Sequence, residues 1–75
     1  MTYLEDKAAV KSHLKKPRHV CIHGIDDDGG AWWMAHCCLP SGRCVQSDNC
    51  PTLEEAMGQL RERVESHPEI KGATQ

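Results

Sequence analysis

The run Asp26-Asp27-Asp28-Gly29-Gly30 constrains this chain more than any other segment. It follows the short β-branched stretch Val20-Cys21-Ile22-His23-Gly24-Ile25 and precedes the aromatic stretch Ala31-Trp32-Trp33-Met34. A turn signal between two such stretches predicts an antiparallel hairpin. Asp-Gly is a preferred dipeptide of two-residue primed turns, so a loop at Asp28-Gly29 pairs residue 27 with residue 30. Ile25 then faces Trp32, His23 faces Met34 and Cys21 faces His36. The second strand, Ala31 to Leu39, ends at Pro40-Ser41-Gly42-Arg43, where a turn centred on Ser41-Gly42 returns the chain through Cys44-Val45-Gln46-Ser47.

Helical patterns flank this meander, which spans residues 19–47. Thr2 and Glu5 have capping-box spacing, and Tyr3, Val10 and Leu14 fall on one narrow stripe at about 100° per residue. Lys15, Lys16 and Pro17 then favour a helix end, so a helix is expected over 3–14. Thr52 and Glu55 form a second capping box, and Leu53, Met57, Leu60 and Val64, bordered by Ala56, give an amphipathic helix over 52–66. The helix stops near His67-Pro68, and 68–75 is expected to be a frayed tail. The expected fold class is α+β: a three-stranded antiparallel meander flanked by two helices, in the order α-β-β-β-α, forming one small domain over 1–75.

Alternation assigns Val20, Ile22, Trp33, Ala35, Cys37, Leu39 and Cys44 to one sheet face, the cleaner surface for helices. The other face takes Cys21, His23, Ile25, Trp32, Met34, His36, Cys38 and Val45. That half-polar face is the expected partner or ligand side. Trp32 and Trp33 are consecutive and must point to opposite faces, so one of them is either a partner anchor or is buried under the N-terminal helix.

Composition narrows the function. No run of 18 apolar residues is present to cross a membrane. The net charge is −2 and unevenly spread. Residues 1–19 hold five cations against two carboxylates, while residues 20–75 carry −5. Binding to phosphate backbones needs a concentrated basic face, so an acidic body suits a basic protein partner better. The order α-β-β-β-α is also that of double-stranded-RNA-binding domains. Those place lysines at the start of the last helix, however, where this chain has Glu54 and Glu55, which repel phosphate. The N-terminus lacks a basic stretch followed by an apolar one, so a cytoplasmic location is expected. There the five cysteines stay reduced, as packing residues, metal ligands or free thiols.

The order of these motifs resembles the HicB-like antitoxin family. An acidic-glycine hairpin is followed by an aromatic strand, then Leu39-Pro40-Ser41-Gly42, a short strand and Thr52-Leu53-Glu54-Glu55-Ala56. The resemblance covers roughly residues 19–66. It implies a non-catalytic, partly RNase-H-like scaffold that masks a small basic RNA-cleaving toxin. Cys37-Cys38 stands where the family usually has Pro-Asp, the turn-to-helix stretch is several residues longer, and the helix over 3–14 is an addition. Full-length members carry a strand and a DNA-binding module that residues after 66 leave no room for, so operator binding is not expected. The first alternative is a phage or mobile-element anti-defence inhibitor of the anti-CRISPR type, using the same scaffold against a nucleic-acid-processing complex; the second is a zinc-stabilised structural module or a double-stranded-RNA-binding-like domain.

Partner contacts are expected from Asp26, Asp27 and Asp28, from Trp32, and from Glu54, Glu55 and Glu62 on the last helix. The three aspartates also have a purely local role, because tight turns select Asp for its side-chain bonds to backbone. They lack the ligand spacing of a calcium loop. His19, Cys21, His36 and Cys38 share a face in the expected register, and two Cys with two His suit tetrahedral zinc. Against that, no C-x-x-C knuckle is present and cysteine is a common packing residue. Cys37, Cys38, Cys44 and Cys50 form a second, weaker ligand set. No oxyanion hole or orienting acid accompanies Cys21 and His36 as a nucleophile pair, so no enzyme is expected. An open sheet edge allows homodimerisation by strand pairing.

Overall fold

The computed structural model describes residues 2–14, 20–27 and 30–73. In chain order the elements are α1 (Tyr3–Ser12), β1 (Cys21–Asp27), β2 (Gly30–Cys38), β3 (Cys44–Gln46), α2 (Leu53–Ser66) and α3 (Pro68–Ala73). The strands form one antiparallel sheet in the order β1-β2-β3. The fold is therefore α+β, with the meander between helices as expected. Among the described residues no helix is long and apolar enough to cross a membrane.

Both capping threonines do their work. The Thr2 hydroxyl accepts from the Glu5 amide and the Thr52 hydroxyl from the Glu55 amide, each at 3.2 Å. Each removes one orphan N–H from a helix start. Helix α1 ends at Ser12, two residues short of the expected 14. The amides of His13 and Leu14 bond three residues back, to Val10 and Lys11, and tighten the final turn.

The β1–β2 register matches the expected one, with Cys21 opposite His36, His23 opposite Met34 and Ile25 opposite Trp32. The β2–β3 register does not. Cys37 pairs with Val45 and Cys38 with Cys44, because Leu39 and Arg43 close a three-residue loop of Pro40, Ser41 and Gly42. The Gly42 amide bonds Leu39 O at 2.8 Å, and Gly42 has φ of 95°. A turn followed by a positive-φ residue is a common hairpin solution, and glycine adopts that conformation without a Cβ clash. The one-residue shift exchanges two assignments: Val45 turns inward and is buried, and Cys44 turns to the opposite face and is exposed.

Beyond β3 the pairing with β2 continues in register to Ser47, and one extra residue enters between Ser47 and Cys50. Ser47 N–H bonds Ala35 O at 2.8 Å, and the Ala35 amide is taken by the Ser47 hydroxyl at 3.0 Å. Trp33 and Cys50 then exchange two backbone bonds of 2.7 Å. The extra residue is a bulge that turns Cys50 into the core.

The helices cover the face carrying Ile22, Trp33, Ala35, Cys37 and Val45. Ala56, Met57, Leu60 and Val64 of α2 pack on it, and Val10 and Leu14 join from the α1 segment. Trp33 lies over Gly24, where an added Cβ would come within 3.2 Å of the ring. The segment after residue 67 differs from the expected frayed tail. Pro68, at a position where a missing N–H costs nothing, opens α3, whose Ile70 is buried with the core. The carboxylate of Glu69 accepts from both the amide and the hydroxyl of Ser41, the amide at 2.9 Å, and ties α3 to the β2–β3 turn.

Candidate binding face

With the described helices gathered on one side, none of them packs on the opposite sheet face. It presents Cys21 and His23 from β1, Trp32, Met34, His36 and Cys38 from β2, and Cys44 and Gln46 from β3. Cys21, His23, Cys44 and Gln46 are exposed, while Trp32, Met34, His36 and Cys38 are half-buried by their neighbours on the sheet. No lysine or arginine occurs in any of the three strands. The face is a nearly uncharged surface of imidazoles, thiols, a thioether and an indole.

Two contacts organise it. The Nε2 atoms of His23 and His36 are 2.6 Å apart. Their ring planes differ by 11° and the centroids are 4.7 Å apart. The nitrogens are much closer than the centroids, so the rings meet edge to edge. One ring must carry the N–H and the other offer its lone pair. Two imidazoles on a tetrahedral zinc, each at about 2 Å, would hold their nitrogens about 3.3 Å apart, so this geometry is that of an N–H···N bond. The second contact joins Cys38 Sγ and Cys44 Sγ at 3.6 Å. Sequence reasoning set Cys21 against His36 and missed both contacts. The first is diagonal across the strands, a reach that long and aromatic side chains have, and the second required the three-residue turn.

The expected site residues separate into distinct regions. Cys21, His36 and Cys38 share the open face, whereas His19 lies outside the described residues. Among the described residues no group of three or more His, Cys, Asp or Glu is gathered closely enough to hold a metal ion. The second ligand set is split, because Cys37 and Cys50 are buried on the helix side. Burial, with the neighbouring thiols of Cys38 and Cys44 adding to it, pushes the Cys37 thiol up to about 11. Burial likewise raises that of Cys50. Both thiols are held in their protonated, unreactive form.

Asp26 is exposed near the end of the hairpin, opposite Ala31, and Asp27 pairs with Gly30 through the backbone; Asp28 lies outside the described residues. Trp32 is on the open face and Trp33 on the helix side, which answers which indole is available to a partner. Glu54, Glu55 and Glu62 are exposed on α2, on the far side of the sheet from Trp32. Glu54 and Glu55 occupy the first turn of α2, where negative charge complements the helix dipole. One flat partner cannot touch Trp32 and these glutamates together.

No family model, curated protein or solved structure matches this chain.

Proposed function

We propose that the protein is a non-catalytic binding module that lays its open sheet face on a protein partner and occludes it, in the manner of a HicB-like antitoxin. The observation that carries this reading is the pair Trp32 and Met34, half-buried in a nearly uncharged face that none of the helices packs on. Tryptophan is the residue most enriched among interface hot spots, and methionine adapts its shape to a partner. The absence of lysine and arginine from the strands disfavours a phosphate backbone as the ligand. Asp26, exposed near the end of the hairpin, adds negative charge at that end of the sheet, which suits a basic nucleic-acid-processing protein and speeds its encounter. A cytoplasmic setting fits five unpaired thiols.

The test is co-purification from the native host with wild-type protein, with Trp32→Ser, and with Glu54→Lys/Glu55→Lys/Glu62→Lys. The expected result is one stoichiometric basic protein whose RNA cleavage is silent in the complex. Trp32→Ser should release it and restore cleavage, and the α2 triple variant should retain it. Retention by Trp32→Ser, or a partner with no nucleic-acid-processing activity, would overturn the reading.

A further inference from the structure

Cys38 and Cys44 are direct partners across β2 and β3. The bonds Leu39 N–H to Arg43 O and Ser47 N–H to Ala35 O mark 39/43 and 35/47 as hydrogen-bonded pairs. Alternation then makes 38/44 a non-hydrogen-bonded pair, the kind whose Cα atoms approach to about 4.5 Å and whose side chains are closest. That separation lies within the range a disulfide spans, so closing the bond needs no strand movement. The sulfurs already face each other at 3.6 Å, and Cys44 is exposed.

We propose that Cys38 and Cys44 form a dithiol site for low-molecular-weight disulfides of the glutathione type, and that exchange there closes a cross-strand bond. Cys44, the more exposed, attacks as a thiolate. Its sulfur bonds to one sulfur of the small disulfide, whose S–S bond breaks and releases one thiolate. Cys38 then attacks Cys44 Sγ, the mixed disulfide breaks, and a second thiolate leaves. The two cysteines lose two electrons, the small disulfide gains them, and the two thiol protons end on the two small thiols released.

The other cysteines do not share this arrangement. Cys37 precedes Cys38 but points into the core, and Cys50 is buried beside Trp33. Cys21 is exposed on β1, with β2 between it and Cys44. The Cys38 thiol is held above its ordinary range chiefly by its hydrogen bond with Cys44, then by burial and by the Cys44 and Cys21 thiols. The site stands whether or not the face binds a protein partner.

The test treats the whole folded chain with oxidised glutathione at neutral pH and reads intact mass, followed by fragment mapping of the linked residues. The expected product links 38 to 44 with the loss of two hydrogens, carries no glutathione on either of these cysteines, and reverts on adding excess reduced glutathione. Cys21→Ser should form the same 38–44 link. Cys38→Ser should stop at a glutathione adduct on Cys44. A stable adduct on wild-type Cys44, a link through Cys21, or no reaction of either cysteine would overturn the proposal.

Discussion

Arg61 of α2 reaches Asp6 of α1 at 3.0 Å, and Asp6 is only 4% exposed. Arg61 also bonds Glu65 one turn away, and its guanidinium is held more firmly charged, chiefly by Asp6. Asp6 belongs to the inner stripe of α1, between Tyr3 and Val10, so the pair joins the two helices beside their apolar contact. Arg61→Ala leaves a buried acceptor without this partner, a loss on the order of 1–3 kcal/mol. Asp6→Leu/Arg61→Leu should recover much of it, since apolar replacement of both members removes the unmet group. Urea unfolding of the single and double variants checks this, and a double variant as unstable as Arg61→Ala would refute it.

Gly58 lies in the middle of α2, and an added Cβ would meet only Asp6 Oδ2, at an ordinary 3.6 Å. Gly58→Ala should therefore gain the helix propensity that glycine forgoes, about 0.5–1 kcal/mol. In a domain of this size that raises the melting temperature by roughly 3–8 °C. A fall in melting temperature would mean the seam between α1 and α2 is tighter than its distances show.

Glu69 is held below its ordinary titration range, first by the Ser41 hydroxyl and against some opposing burial. A depressed folded-state value contributes stability that is fully present above the unfolded carboxyl's range and is lost as pH falls through the folded value. Wild type should exceed Glu69→Gln in stability at neutral pH, and the gap should close in acid. Thermal melts of both proteins from pH 7 to pH 2 read this directly. A gap that does not change with pH would assign the Ser41 contact no ionic character.

Leu60 is fully buried among the α2 residues that face the sheet. Leu60→Ala should cost about 2–5 kcal/mol from lost transfer and cavity terms. A 75-residue chain typically has only about 4–11 kcal/mol in total, so much of the cooperative transition should disappear. Trp32→Ser, by contrast, removes a side chain from the open face and should leave most of the stability. Parallel circular-dichroism melts of the two variants compare them.

The hairpin was legible because Asp-Gly fixes a loop length, and loop length fixes register. The β2–β3 turn was legible only in position. Pro-Ser-Gly suits both a two-residue and a three-residue loop, and the choice depends on the backbone Gly42 adopts and on the Ser41–Glu69 contact from a distant helix. The inward turn of Cys50 depends on a bulge that no local residue announces. Helix α3 was missed because six residues make a marginal helix by themselves, and it is Ile70 burial and the Glu69 tether that hold it. The open face was legible as a face, through alternation. Its contacts were not, because the His23–His36 diagonal and the Cys38–Cys44 pairing depend on side-chain direction and on the turn beyond them.

The loop Pro40-Ser41-Gly42 acts as a parity setting for the strand after it. Adding or deleting a single residue there would carry Cys44 or Gln46 into the place of Val45, setting a thiol or an amide against the core and an aliphatic chain in water. Changes of two residues would restore the original assignment. Length variation at this loop is therefore restricted to even steps, while substitutions within it are constrained mainly at Ser41 and Gly42. A segment that looks like the least constrained part of the sheet is the part where a single insertion would do most harm.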